Sequence, residues 1–568
     1  MNNLVKILLV ICLFVFGSVL FRNLDSLSLR MWDESRNAIN ALEMIKTGNY
    51  LAISFEGQPD LWNTKPPLLI WNIAAAMKLI GMNELAVRLP SVIAALITMI
   101  AVSFLLFRIT GGNIASVAGG LVLCTCPGFI DYHIARNGDF DSMLSMWVFL
   151  AGMFYFLWLH STSKSDNMLY FSMIALAAGL MTKGIASLLM LPGFFIYSVF
   201  TGNIKKLVTS KGIYISALLI FVPIISYYVA REYFAPGYVS AVIENELSGR
   251  YMQTTEGHEH DGMFYIRNLW ESRLGYWKFV FLISLILGLL IGRKKPAGRT
   301  ILFGLLSVLS YLIIISFSKT KLPWYDALVF PYFALVCGSG IILFVELLEK
   351  VITTHSIKKI IFFRFFLVLL IVAYPFYNIH SNTSVKATVE QTYPELFYGD
   401  MIKAFVHSHP DDSLSVVFDG YNSHALFYIR LGEMNGSKVK YKSTKERFYP
   451  GEIILTCEDQ FLNLVKKRYQ LETEYENESR LVSKILTELI VPVESDFELA
   501  SRLLDEKINE ILSIPEWKAK IEQKAADKNI SLEEQLLEDA VYVLLLDQKI
   551  SDADADSLKS LRSTKMDR

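Results

Sequence analysis

Pro66-Pro67-Leu68-Leu69-Ile70-Trp71-Asn72-Ile73-Ala74-Ala75-Ala76-Met77-Lys78 is the segment on which the topology turns. It is apolar but short, opens on two prolines and is interrupted by Asn72 and Lys78. A spanning helix needs about 20 mostly apolar residues, so this one either crosses or lies in the interface as an amphipathic helix. Eleven other runs qualify as spans: 5–21, 88–107, 114–130, 141–159, 168–182, 184–200, 213–230, 277–292, 300–317, 324–347 and 360–379. Their loops decide the matter. If 66–81 does not cross, Arg108, Lys164, Lys205, Lys206, Lys211, Arg293, Lys294, Lys295, Arg299, Lys350, Lys358 and Lys359 all fall on one side. Lysine and arginine in short loops favour the cytoplasm, so that side is cytoplasmic. If 66–81 crosses, every one of those basic loops faces outward, against the same rule. The expectation is therefore a helix lying on the outer surface.

Composition agrees with a membrane body. The 568 residues are 53% hydrophobic with a mean hydropathy of +0.38, more apolar than a wetted surface allows. A net charge of -1 offers no basic field for nucleic acid. Cys12, Cys124, Cys126 and Cys337 lie in apolar runs and only Cys457 in a polar part, which argues against a disulfide framework. The run 5–21 lacks a small-x-small cleavage site and is read as an uncleaved first span.

After 380 the composition turns soluble. Strands at Leu414-Ser415-Val416-Val417-Phe418 and Glu452-Ile453-Ile454-Leu455 alternate with helical stretches, and Ser531-Leu532-Glu533-Glu534 opens a helix as a capping box. The run 551–556 resembles a calcium loop but lacks the required Gly and distal Glu, so a solvated helix start is preferred. The expected fold is a polytopic α-helical membrane protein with eleven transmembrane helices and outer surface helices, a C-terminal soluble α/β domain and a helical tail. The expected domains are 1–380, 381–492 and 493–568.

The parity puts the chain's unusual polar motifs on the outer face. Met31-Trp32-Asp33-Glu34-Ser35-Arg36 follows the first span, and Trp62-Asn63-Thr64-Lys65 precedes the surface helix. Asp131-Tyr132-His133-Ile134-Ala135-Arg136-Asn137-Gly138-Asp139-Phe140-Asp141 sets two carboxylates at the mouth of a span, where they are costly unless paired or hydrated. Lys183 stands in a hairpin almost too short to reach water, and Lys319, Lys321, Trp324 and Tyr325 mark another outer helix end. Singly, such residues are interfacial charges or snorkelling anchors. Together they describe an outward cavity of carboxylates and cations over apolar walls. That combination suits a lipid phosphate, with a carboxylate as general base. Glu256-Gly257-His258-Glu259-His260-Asp261 is the one metal-like cluster, and its spacing makes His258 and His260 weak ligands.

Asp33-Glu34-Ser35-Arg36, Lys65-Pro66-Pro67-Leu68, Ala86-Val87-Arg88-Leu89-Pro90-Ser91, Ala135-Arg136 with Asp141, Thr182-Lys183-Gly184 and Lys321-Leu322-Pro323-Trp324-Tyr325 occur in this order. As an ordered set over roughly residues 1–345 they resemble the dolichyl-phosphate-mannose protein mannosyltransferase-like family of C-type membrane glycosyltransferases, near its aminoarabinose (lipid A) transferase branch. The resemblance implies inverting transfer of a sugar from a polyprenyl-phosphate donor to a lipid A, envelope glycan or protein acceptor. The setting it implies is the periplasmic face of a bacterial inner membrane, with no cofactor expected and a divalent metal left open. It implies Asp33 as catalytic aspartate with Asp141 as acidic partner. Arg36, Lys65, Lys183, Lys321, Tyr325 and Arg250 would lie around the donor phosphate. Glu34, Trp62, Asp139, Glu246 and His258 would bind substrate. Asn37 and Thr64 depart from the family pattern, which bears on sugar or acceptor identity. The competing expectation is a transporter or flippase of a lipid-linked solute, which would favour charges at mid-membrane and paired broken helices.

Overall fold

Among the described residues, seven helices are long and apolar enough to cross a membrane: Glu84–Ile109, Phe140–Leu159, Asn167–Leu188, Lys211–Phe234, Pro296–Phe317, Val329–Glu349 and Ile357–Asn382. Phe264–Arg273 and Trp277–Gly292 qualify as a pair bent by 111°, and Ile7–Phe21, Leu68–Ile80, Ile114–Cys124 and Leu191–Phe200 are shorter apolar helices. The structure, a computed structural model, describes residues 3–130, 133–163, 165–249, 259–292, 294–350, 357–390, 394–457, 459–477, 480–488, 496–528, 530–546, 555 and 558.

The eleven expected runs thus appear as seven full-length helices, one bent pair, two shorter helices and the 19-residue helix Asn3–Phe21 over the expected first span. The largest departure is at 114–130, expected as one helix. It is a 3-10 turn at Ile114–Val117, a helix at Ala118–Cys124 and a last turn at Pro127–Ile130. Pro127 cannot donate to the preceding turn, which ends the helix before it. The 13 residues of Leu68–Ile80 extend about 20 Å, short of the ~30 Å hydrocarbon core. The hairpin after Lys183 breaks at Gly184, whose φ of 54° admits glycine without strain.

Phe140–Leu159 and Val329–Glu349 carry the apolar core, with 78% of each span buried, whereas Lys211–Phe234 is 18% buried and lies at the periphery. The interior is aromatic: Phe149, Phe194, Tyr197, Phe303 and Tyr332 pack edge-to-face or tilted.

The contacts divide the chain into two units. The first comprises Met1–Arg447, Glu452–Leu462 and Thr473–Ser483, and the second comprises Phe448–Gly451, Asn463–Glu472 and Lys484–Arg568. The first unit runs past 380 because polar bonds tie its later residues to Leu29, Ser35 and Glu84. Tyr428 Oη accepts from Leu29 N at 2.8 Å and donates to Glu84 at 2.8 Å. Ser423 Oγ lies 2.6 Å from Ser35 Oγ, and Lys403 Nζ 2.5 Å from Glu84. Within it, Ser413–Val417 pairs in parallel with Lys438–Lys442 on one side and Ile453–Thr456 on the other, with Leu414 opposite Val439 and Ile453. The helix Ser423–Met434 makes the crossover between the first two strands.

In the second unit Asp496–Ser513, Pro515–Lys528 and Leu532–Leu546 enclose Leu504, Ile511, Ile521, Leu537, Val541 and Leu544. Ser531 Oγ accepts from Glu534 N at 3.1 Å, the N-terminal cap read from the sequence. The run 551–556 lies outside the described residues apart from Ala555.

Candidate functional site

The helix Asp33–Thr47 starts from Trp32, whose φ of 74° and ψ of -123° are strained for a bulky side chain. Asp33 is half-buried in the first turn, where the helix dipole favours a carboxylate, and it makes no hydrogen bond among the described residues. Its carboxylate, a ring nitrogen of His133 and a carboxylate oxygen of Asp139 all lie within 4.8 Å of one another. His133 is itself at φ 75°; its Nδ1 is 3.0 Å from Asp139 Oδ2 and its ring stacks on Trp324 at 3.7 Å. Asp139 Oδ1 caps the helix Phe140–Leu159 by accepting from Phe140 N at 2.6 Å. Burial opposes its charge, but the His133 hydrogen bond and the charges of His133 and Lys183 hold it below the usual carboxylate range. One imidazole and two carboxylates are donors that suit a divalent cation, so this trio is where one would be held.

Two residues further on, Asp141 Oδ1 accepts from Lys183 Nζ at 2.7 Å, with the side chains 3% and 10% exposed, while Asp141 Oδ2 is buried with no hydrogen-bond partner among the described residues. Lys183 Nζ also lies 5.6 Å from the Tyr325 ring centroid. Lys65 joins from the first loop: its Nζ is 5.6 Å from the ring centroid of Phe140, the residue between the two aspartates, and 3.9 Å from Glu246 Oε1. Thr64 Oγ1 donates to the same Glu246 oxygen at 2.8 Å. Asp33, Asp139, Asp141, Lys183, Tyr325, Lys65 and Glu246, far apart in sequence, are thereby linked through shared neighbours.

Other expected residues stand differently. Arg36 is committed to Asp60 through a bidentate fork, Nε to Oδ2 at 2.9 Å and Nη2 to Oδ1 at 2.7 Å. Burial opposes the charge on Asp60, but Arg36 and the amides of the following turn hold its carboxyl low. Glu34 is 1% exposed and forks onto Arg88, while accepting from Arg30 N and Gly138 N. With its acceptor sites taken, it shapes the loop. Trp62 is 56% exposed beside the site loop. Lys321 Nζ donates to Ser318 O at 2.5 Å and closes its own turn. His260 is exposed and stacks on Phe264 at 4.1 Å. Arg250 and His258 lie outside the described residues.

Three contributors had no assigned role in the sequence reading. His133 stood in the quoted loop six residues before Asp139, and its proximity to Asp33 depends on the fold. Asp60 had no motif around it. Arg231, at the end of a peripheral span, donates to the carbonyls of Asp60, Asn63 and Lys65 and so fixes the loop that presents Lys65.

Fold and site define a multi-span membrane protein whose reactive groups collect at one set of helix ends. A sequence profile described as dolichyl-phosphate-mannose-protein mannosyltransferase matches residues 64–229. The undecaprenyl phosphate-alpha-4-amino-4-deoxy-L-arabinose arabinosyl transferase of Erwinia tasmaniensis is 26% identical over 310 residues, covering 53% of each chain. An uncharacterized protein of Aquifex aeolicus is 25% identical over 322 residues, 56% of this chain and 60% of its own length. The chain therefore spans little more than half of the curated relatives it matches. ArnT from Cupriavidus metallidurans, crystallised with undecaprenyl phosphate, shares the fold at a TM-score of 0.64 and 16% identity, covering 85% of this chain and 98% of that one. Its apo form gives 0.61 at 17% identity, with 85% and 97% covered. Over residues 64–229 the chain resembles dolichyl-phosphate-mannose-protein mannosyltransferases, and an aminoarabinose transferase is among the curated relatives it matches.

Proposed function

We propose that this protein transfers a sugar, a hexose or a pentose, from a polyprenyl-phosphate donor to an acceptor hydroxyl or amine, with inversion. The observation that carries this reading is the Asp33 carboxylate, without a hydrogen-bond partner among the described residues and within 4.8 Å of the His133–Asp139 pair. Asp33 accepts the acceptor's proton as the nucleophile attacks the anomeric carbon. The new acceptor–carbon bond forms as the bond from the anomeric carbon to the phosphate oxygen breaks. Polyprenyl phosphate departs with the bonding electron pair, and a single displacement of this kind inverts the anomeric centre. Lys65 and Lys183 supply positive charge where the leaving phosphate gains negative charge. Asp141, held by Lys183, keeps that ammonium in place.

The same reading sets the reaction on the periplasmic side of a bacterial inner membrane, following the basic loops on the opposite side. It uses lipid A, an envelope glycan or a protein as acceptor, and requires no resident cofactor. The relatives' printed names, an aminoarabinosyl transferase and a protein crystallised with undecaprenyl phosphate, support the donor class. Mass spectrometry of lipid A, envelope glycans and exported glycoproteins from cells with and without the protein tests it. A sugar-mass increment lost with the protein is expected; identical spectra in all three fractions contradict it.

A further inference from the structure

Trp32 is the residue whose geometry the reaction above leaves unexplained. Its side chain is 57% exposed although its backbone sits at φ 74°, ψ -123°. A left-handed tryptophan that gains no burial is held there for another reason, and such outliers cluster where a ligand is gripped. An aromatic anchor at a membrane interface needs no such backbone.

The ring is supported from one side. Tyr421 stacks on Trp32 at 5.0 Å and 21°, and Phe55 stacks on Tyr421 at 6.1 Å and 22°. Arg36 lies over this ladder, 4.4 Å from the Phe55 centroid and 5.6 Å from that of Tyr421. The Tyr421 hydroxyl donates to Trp32 O at 3.4 Å, so the same residue backs the ring and holds the strained carbonyl. Tyr421 belongs to the turn between the strand Ser413–Val417 and the helix Ser423–Met434. The α/β segment thus contributes a wall directly beside Asp33.

We infer that the exposed indole face of Trp32, backed by Tyr421, is a carbohydrate subsite on which the C–H face of a sugar ring stacks. A flat apolar face bordered by a hydrogen-bond acceptor matches a sugar, which has an apolar face and a hydroxyl rim. Asp33, the next residue, is the half-buried carboxylate on that border. The inference rests on the glycosyl-transfer reading and deepens it. The stacked ring is that of the acceptor or that of the donor, and the test separates the two.

The test is saturation-transfer NMR on the full chain in detergent, with chitobiose and maltose as free sugars and undecaprenyl-phosphoryl mannose against undecaprenyl phosphate as lipid-linked probes. The wild type should transfer saturation to sugar ring protons. Trp32→Ala should weaken that sugar binding about tenfold, whereas Trp32→Phe and Tyr421→Phe, which keep the stacked rings, should retain it. Undecaprenyl phosphate should bind all four proteins equally, which also shows that the variants are folded. Signal from the free disaccharides assigns the acceptor; signal from the lipid-linked sugar alone assigns the donor. No transfer to any sugar, or equal transfer in Trp32→Ala, overturns the inference. Failure of the parent reading shows separately, as sugar-transfer activity surviving Asp33→Asn.

Discussion

Glu34 and Arg88 form a buried fork, with Nε 2.7 Å from Oε1 and Nη2 3.0 Å from Oε2, and the spare Arg88 hydrogens reach the carbonyls of Leu24, Leu27 and Ser28. The pair ties the loop after the first apolar helix to the helix Glu84–Ile109, and Glu34 also receives Gly138 N from the aspartate loop. Three segments that carry candidate residues are therefore positioned by one carboxylate. Glu34→Gln should leave Arg88 buried without its counter-charge and destabilise the protein by about 3–5 kcal/mol. Thermal unfolding in detergent measures it; an unchanged midpoint would show that the fork is dispensable.

Acid should weaken the same framework. Burial opposes charge on Glu34, but Arg88 and two backbone amides hold its carboxyl below the usual range, and Arg36 does the same for Asp60. Depressed folded values mean that the stabilisation is fully present above the unfolded values of about 4 and is lost as pH falls through the folded ones. Unfolding midpoints should hold between pH 7 and about 5 and drop below about 4. Glu34→Gln should show a shallower drop than the wild type. A midpoint that rises on acidification would contradict the assignment.

Lys183 and Asp141 should behave as a coupled unit. Lys183→Met leaves Asp141 buried with neither oxygen paired, and Asp141→Asn leaves a buried ammonium with a weaker partner. Each single change should cost several-fold more stability than the double change, because the pair is removed together in the latter. Sugar transfer should stay lost in the double variant, since the cation beside the phosphate is gone. Additive stability losses would show that the two side chains do not share one role.

Chelation provides a further check. His133 already holds Asp139 at 3.0 Å and stacks on Trp324, so two of the three groups are partnered without a cation. Transfer by membranes washed with EDTA should equal that of untreated membranes. Loss of activity restored by added magnesium or manganese would assign the Asp33–His133–Asp139 set to a cation instead.

Much of this arrangement was legible because it follows from local pattern. Apolar runs gave the long helices, the serine at 531 gave a cap, and loop charge grouped Asp33, Asp139, Asp141, Lys65 and Lys183 on one expected face. What stayed hidden depends on direction and long-range partners. Asp33 and Glu34 are adjacent acids, yet about 100° apart around a helix, so one borders the site while the other turns inward to Arg88. The partner of Arg36 stayed hidden because Asp60, 24 residues away, carries no motif. Tyr421 lies 389 residues from Trp32, and no periodicity connects them.

The central claim is that Asp33 takes the acceptor's proton. Asp33→Asn keeps size and helix position and removes the base, so transfer measured by mass spectrometry should fall by at least about a hundredfold. The amount of protein in the membrane and its unfolding midpoint should not change. Transfer at the wild-type rate by properly inserted Asp33→Asn protein would contradict the account.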